Sequence, residues 1–197
     1  MTLRETLLEH APVRLEPLAD SHKLGLRAAV EADTEIWTSL FPISMSGEHF
    51  DPFWKDMCTK RKTGYAMPFA VLCNQECVGF TSYLRINPDW QSLDIGGTYY
   101  NPEVRGGYVN PIAKYLLLHH AFDCGARRVQ FRVDALNARS RAAMLKLGAI
   151  EEGIIRQEKP VWTGRIQDTI VFSILSNEWP DVKLELERRL SRRPQNS

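Results

Sequence analysis

The chain has 197 residues, of which 44% are hydrophobic and 25% are charged, values that are typical of globular proteins. Its 25 basic and 24 acidic residues give a formal net charge of +1, so no net field favours a nucleic acid or an anionic membrane surface as partner. Length and composition predict one folded domain over residues 1–190, followed by a flexible tail over residues 191–197.

The N-terminal segment and the cysteines indicate a cytoplasmic protein without a metal site. The sequence lacks the run of about 18 apolar residues that a membrane span needs, and Arg4, Glu5 and Glu9 make the first residues too polar for a secretory signal. The four cysteines are irregularly spaced and lack a second metal-ligand pair, so we expect free thiols and no zinc.

The first half of the sequence shows strand and helix patterns and then three successive strands. Residues 13–17 alternate apolar with polar side chains and predict a strand, while residues 24–30 and 50–57 have helical spacing. Between these two helices the segment 34–47 is aromatic and irregular. Three apolar or alternating runs then predict an antiparallel meander: residues 65–72, 77–86 and 92–100.

The second half changes to helical and strand patterns in alternation. Helical spacing predicts helices over residues 112–122, 137–147 and 176–190. Strand patterns cover residues 127–134, 149–162 and 165–175. The complete order predicts an α/β/α sandwich with a mixed, mostly antiparallel sheet.

The segment Arg105-Gly106-Gly107-Tyr108-Val109-Asn110-Pro111 joins a predicted strand to a predicted helix. Adjacent glycines allow a close backbone approach, and free amides at a helix N-terminus attract anions, so the segment favours phosphate binding. Asn110 is placed to cap the helix, with Pro111 in its first turn. A plain chain reversal is the alternative, and no nucleotide P-loop or GxGxxG motif is present.

A second segment, Asn137-Ala138-Arg139-Ser140, opens the next helix directly after a strand. Together with the Arg105 loop and the run from Asp94 to Pro102, it resembles the GCN5-related N-acetyltransferase (GNAT) superfamily, especially its ribosomal-protein N-terminal-alanine acetyltransferase-like branch. The likeness extends over residues 13–179.

This resemblance implies that the fourth and fifth predicted strands, residues 92–100 and 127–134, splay apart and receive the pantetheine arm of acetyl-CoA. It implies that Asn137 bonds this arm and that Ser140 protonates the departing thiolate. Asn137 is equally suited to cap its helix. The full set of cofactor contacts that we expect is Gly97, Thr98, Tyr99, Arg105, Gly106, Gly107, Tyr108, Val109, Asn110, Asn137, Arg139 and Ser140.

Two positions depart from the family pattern. Counting from Arg105 places Tyr108 and Asn110 where the family loop has small residues. Gly107 would then take the place of the family glycine in a shifted turn. Met144 stands where many members carry a tyrosine that acts as general acid, which makes Ser140 the better candidate for that role.

The amine acceptor is mostly protonated at neutral pH, so a base is needed. Asp94 stands where similar enzymes carry an acid that acts directly or through water, and a surface carboxylate at the start of a strand is the alternative. Gly96 and Gly97 predict a bulge or a close ligand approach, and an amide there would stabilise an oxyanion; a simple twist is the alternative.

Aromatic residues are candidates for the wall of the acceptor pocket. We expect Trp37, Tyr83 and Trp162 to bind substrate, although core packing or a homodimer interface would equally explain such residues.

The sequence therefore predicts an N-acetyltransferase that moves an acetyl or other short acyl group from acyl-CoA to a primary amine of a small molecule or of a peptide or protein N-terminus. A catalytically silent acyl-CoA-binding or regulatory domain and a purely structural interaction module are the alternatives.

Overall fold

The computed structural model describes residues 1–39 and 41–191. The strands are β1 (Leu8–His10), β2 (Val13–Pro17), β3 (Ala66–Cys73), β4 (Glu76–Asn87), β5 (Ser92–Tyr100), β6 (Arg128–Asp134), β7 (Ile150–Pro160) and β8 (Ile166–Leu175). The helices are α1 (Lys23–Glu31), α2 (Glu35–Ser39), α3 (Phe50–Lys62), α4 (Val109–Asp123), α5 (Ala138–Leu147) and α6 (Trp179–Ser191).

All eight strands form one sheet with the order β1-β2-β3-β4-β5-β6-β8-β7. Neighbouring strands are antiparallel except β5 and β6, which run parallel because α4 crosses between them. The mixed, mostly antiparallel sheet that the sequence predicts is confirmed.

Helices cover the sheet on both faces. One face packs against α4, α5 and α6, and its core contains Leu117, Leu147 and Leu186. The other face packs against α1, α2 and α3, and its core includes Leu26 and Phe50. The predicted α/β/α sandwich is therefore confirmed, and these two covered faces determine which side chains can reach a ligand.

The β3–β4 hairpin shows how local sequence determines one of these connections. Asn74 and Gln75 both have positive φ angles, +50° and +71°, which suits a tight two-residue hairpin. Cys73 consequently pairs with Glu76, and all four cysteines are free, as predicted.

Two elements escaped prediction. Strand β1 has three residues and α2 has five, which is too short for either to show a periodic pattern. At the C-terminus, Ser191 still belongs to α6, and the other residues of the predicted tail, 192–197, lie outside the described residues. Among the helices of the described ranges, none combines the length and the apolar character that crossing a bilayer requires.

Candidate functional site

Strands β5 and β6 pair along only part of their length. Ser92–Asp94 are in register with Arg128–Gln130, and beyond these residues the two strands share no ladder. The remaining parts, residues 95–100 and 131–134, diverge into a wedge that is closed at Asp94. Main-chain groups along such a gap need partners that the sheet does not supply. The predicted splay between these strands is confirmed.

A β-bulge distorts β5 beside the wedge. Phe80 lies opposite Tyr99 and Ser82 opposite Gly96, so β5 contains one residue more than β4 over this interval. Gly97 accommodates it with a φ of +62°, a conformation that favours glycine. The bulge predicted from the paired glycines is confirmed. Tyr99 itself is buried and its hydroxyl donates to the carbonyl of Ala29, so a ligand in the wedge meets its main chain.

The loop before α4 presents unpaired amides. Gly106 and Gly107 are exposed, and Gly106 has a φ of +75°. Within the described residues, no backbone acceptor pairs with the amides of Gly106, Gly107, Val109 or Asn110, and Ile112 is the first to donate to a carbonyl one turn back, at 3.0 Å. Such amides at the start of a long helix form a potential anion site.

The start of α4 corrects one prediction about Asn110. The helix begins at Val109 with Tyr108 as its N-cap residue, so Asn110 lies inside the first turn and does not cap it. A cap residue must precede the helical turn so that its side chain can bend back onto the first amides. Pro111 lies in the first turn, as predicted.

The side chain of Arg105 anchors the loop to the rest of the protein. Its Nε donates to the carbonyl of Tyr100 at 2.7 Å, and its guanidinium forms an ion pair with Asp33 and lies 5.2 Å from the Tyr99 ring centroid. A hydrogen bond from Arg105 is the main cause that lowers the pKa of Asp33. The second terminal nitrogen of Arg105 is buried and has no partner in the described part of the chain, so it is the atom left for a ligand.

Helix α5 begins at the open end of the wedge, directly after β6. Asn137 is its N-cap, and its Oδ1 accepts a hydrogen bond from the Ser140 amide at 2.9 Å. The capping role considered for Asn137 is therefore confirmed. Ser140 is half-buried, and its hydroxyl makes no hydrogen bond with any described residue, whereas Arg139 is exposed. Met144 faces the core.

Asp94 lies at the closed end of the wedge and is 4% exposed. Its carboxylate accepts a hydrogen bond from Arg85 at 2.8 Å. Burial raises the pKa of Asp94 above its ordinary value, and the charges of Arg85, Arg132 and Arg128 oppose that rise. The sequence prediction of a carboxylate in a cleft agrees with this position, and the surface-carboxylate alternative does not.

Three further arginine–carboxylate pairs join β6 to β7 or to the β7–β8 turn, and sequence reasoning missed them. They are Arg128 with Glu152, Arg132 with Glu158, and Arg165 with Asp134. A strand was predicted over residues 127–134 without a polar face, but its polar residues alternate with Val129, Phe131 and Val133, which face the core. That alternation was the available signal for one polar face.

Two of the predicted acceptor residues lie together. The Trp162 indole donates to the carbonyl of Trp37 at 2.8 Å, and the Trp162 amide donates to the carbonyl of Pro42 at 3.1 Å. Trp37 is buried and stacks on Tyr99, whereas Trp162 is 41% exposed and contacts the His49 ring. The turn between β7 and β8 thus packs against the segment that follows α2.

Tyr83 lies on the other face of the sheet. Its ring is fully buried under α4, and its hydroxyl donates to the carbonyl of Leu117 at 2.6 Å. The structure therefore does not bring Tyr83 together with Trp37 and Trp162. Within residues 1–39 and 41–191, no group of three or more histidine, cysteine or acidic side chains is arranged to hold a metal ion.

Comparisons with known proteins agree on the family. The acetyltransferase (GNAT) domain model matches residues 13–150, which is more than half of the chain. A GCN5-related N-acetyltransferase from Brucella melitensis is 30% identical, with a TM-score of 0.87 over 98% of this chain and 88% of that chain. No curated protein sequence matches the chain significantly.

Two more distant structures share the fold. Mycobacterium smegmatis RimJ, solved in complex with CoA-disulfide, is 20% identical, with a TM-score of 0.79 over 93% of each chain. RimL, a ribosomal L7/L12 alpha-N-protein acetyltransferase, is 19% identical, with a TM-score of 0.78 over 86% of this chain and 94% of that chain. With a family match over most of the chain and a wedge that opens beside an amide-lined loop, the chain belongs to the GNAT acetyltransferase family and is an acyl-CoA-dependent acetyltransferase.

Proposed function

We propose that this enzyme transfers an acetyl or other short acyl group from acyl-CoA, by direct attack, to a primary amine of a small molecule or of a peptide or protein N-terminus. The observation that carries the proposal is the wedge between β5 and β6, which opens toward the unpaired amides before α4. An extended ligand that enters the wedge meets an unpaired strand edge, and an anionic group at its end meets a helix N-terminus.

These residues fit coenzyme A. Its pantetheine arm carries two amides, about the hydrogen-bonding pattern of a short strand, and its diphosphate suits the amides of Gly106, Gly107, Val109 and Asn110. RimJ, with the same fold, was solved with CoA-disulfide. When bound, the coenzyme supplies a thioester carbonyl that is reactive toward amines.

Asp94 is proposed as the general base, acting directly or through water. An acceptor amine has a pKa of about 8 to 10 and must lose a proton before it attacks. Burial raises the pKa of Asp94 toward the range where a carboxylate is an effective base, while the charge and the hydrogen bond of Arg85 oppose that rise. Because the carboxylate is almost fully buried, it can reach only a proton that is brought to the closed end of the wedge.

Two further groups are proposed to stabilise developing charge. The bulge at Gly97 turns a main-chain amide out of the β4–β5 ladder, and an amide aimed at the thioester oxygen is worth about 3 kcal/mol in such reactions. The Ser140 hydroxyl, which lacks a partner among the described residues, would protonate the departing thiolate.

The acceptor is proposed to enter over the polar face of β6, beside Trp162. This face carries the arginine–carboxylate pairs of Arg128 and Arg132, and the exposed Trp162 ring flanks it at the β7–β8 turn. Mixed charges of this kind suit a polar amine. The fold neighbour RimL is described as a protein N-terminal acetyltransferase, which supports including peptides among the candidate acceptors.

The proposal is tested by mixing the purified chain with acetyl-CoA and a panel of amino acids, polyamines and short peptides, while recording thiol release. We expect amine-dependent release, and we expect Asp94→Asn to lower turnover by roughly 100-fold or more. Because Asp94 is not placed at the diphosphate loop, the Kd for CoA should stay nearly unchanged.

Asp89→Asn is the matched control, because Asp89 is exposed on the β4–β5 turn and should leave turnover unaltered. Binding of acetyl-CoA without thiol release from any amine would reject the proposed reaction. Normal turnover in Asp94→Asn would reject the base assignment alone.

A further inference from the structure

Lys114 is a buried lysine on α4 that reaches into the wedge. Only 4% of the residue is exposed. Its Nζ donates to the hydroxyl of Thr98 on β5 at 2.9 Å and lies 6.0 Å from the ring centroid of Phe131 on β6. Thr98 and Phe131 both lie beyond the residues at which β5 and β6 pair with each other. The ammonium group therefore bridges the two walls of the gap.

This position is costly for a lysine. An ammonium group has three donors, and in the described part of the chain its one hydrogen bond goes to a neutral hydroxyl, which also bonds Thr81. No described carboxylate forms an ion pair with it. Burial accordingly lowers the pKa of Lys114 to about 7. A buried amine that lacks acceptors in a cleft is a candidate for ligand binding.

The surroundings leave room for this side chain to adjust. Lys114 lines a small cavity together with Asn110 and Pro111 from the start of α4 and Met144 from α5. Arg189 of α6 borders the same cavity and adds positive charge rather than a partner for the ammonium group. A ligand in the wedge would bring an acceptor to Lys114, because Thr98 and Phe131, which lie beside its Nζ, border that gap.

We propose that Lys114 binds a carbonyl oxygen of the pantetheine arm, so that its ammonium group donates a hydrogen bond to the ligand between Thr98 and Phe131. This inference rests on the proposed function. Lys114 lies four residues beyond Asn110, which is about 6 Å deeper along the helix than the amides proposed for the diphosphate. Its partner Thr98 precedes the end of β5 by two residues, which also places the amine beside the middle of the arm.

The test compares two ligands that differ in the arm alone. Calorimetry measures the Kd of CoA and of 3′-phosphoadenosine 5′-diphosphate, which keeps the diphosphate but lacks pantetheine. Lys114→Met is expected to weaken CoA binding roughly 10- to 100-fold, the range for a lost hydrogen bond to a charged group. The truncated ligand should bind both proteins equally.

Lys55→Met is the control, because Lys55 is exposed on α3 and should change neither Kd. Lys114→Gln keeps a donor and should recover part of the CoA affinity, so it also serves if the methionine variant does not fold. If Lys114→Met weakened the binding of both ligands equally, Lys114 would act at the diphosphate. If CoA binding were unchanged, Lys114 would have only a structural role. Either result overturns the inference. Failure of the unaltered protein to bind CoA would instead refute the proposed function.

Discussion

The buried amine of Lys114 makes a quantitative prediction about stability. A lysine has an ordinary pKa of 10.5, and in the folded protein the pKa of Lys114 is lowered to about 7. Below about pH 7 both the folded and the unfolded state hold the proton. Between about pH 7 and 10.5 the unfolded chain binds it and the folded chain does not, so raising the pH stabilises the fold.

The magnitude follows from these two values. Each pH unit between them is worth about 1.4 kcal/mol, which gives about 5 kcal/mol over the whole interval and about 2 kcal/mol between pH 7 and pH 9. Methionine has a similar length and no charge, so Lys114→Met removes this contribution. Near neutral pH the variant should also be more stable than the unaltered protein, because a buried cation without a charged partner is lost.

Urea denaturation at pH 7, 8 and 9 measures the free energy of unfolding for both proteins. Subtracting one curve from the other cancels the contributions of all other titrating groups. We expect the unaltered protein to gain about 2 kcal/mol relative to the variant from pH 7 to pH 9. Parallel pH dependences would refute the reasoning, because they would mean that Lys114 keeps an ordinary pKa in the folded protein.

Two other substitutions test the proposed catalytic and binding residues. Arg85→Gln removes a cation that lowers the pKa of Asp94, so the acid limb of the pH profile of kcat/KM should move to higher pH. An unchanged acid limb would mean that Arg85 does not influence the pKa of the catalytic base. Asn137→Ala removes the α5 cap and should cost about 1 kcal/mol in urea denaturation. Asn137→Asp keeps the capping oxygen and should restore stability, but it loses the amide donor that the family resemblance assigns to the pantetheine arm, so its Kd for CoA should be higher than that of the unaltered protein. Full recovery of both stability and CoA affinity would limit Asn137 to capping.

Much of the fold was predictable from local patterns. The alternating run over residues 13–17 and the apolar or alternating runs over residues 65–72 and 92–100 correspond to strands β2, β3 and β5, because short runs of these kinds are typical of strands buried on one or both faces. Gly97 predicted the β5 bulge, since its conformation is accessible to glycine and costly for other residues. Asn137 was predictable as a cap because its acceptor acts on an amide three residues away.

The arrangement of the site depended on contacts between residues far apart in the sequence. Lys114 stands in an apolar helix and gave no signal, because its burial and its bond to Thr98 arise only when α4 packs against the splayed strands. Arg105 is among the expected cofactor contacts, and its spacing gave no sign that Asp33 and Tyr100 bind most of its side chain.

The sequence by itself determined the order and type of most elements, the two glycine-dependent turns of the site and the positions of Asp94 and Asn137 along their elements, since these depend on neighbours a few residues away. The tertiary structure decided that Tyr83 is separated from Trp37 and Trp162, that Arg85 pairs with Asp94, and that Lys114 spans the wedge. The partners that a side chain meets across the fold are determined by packed surfaces, and no spacing along the chain specifies them.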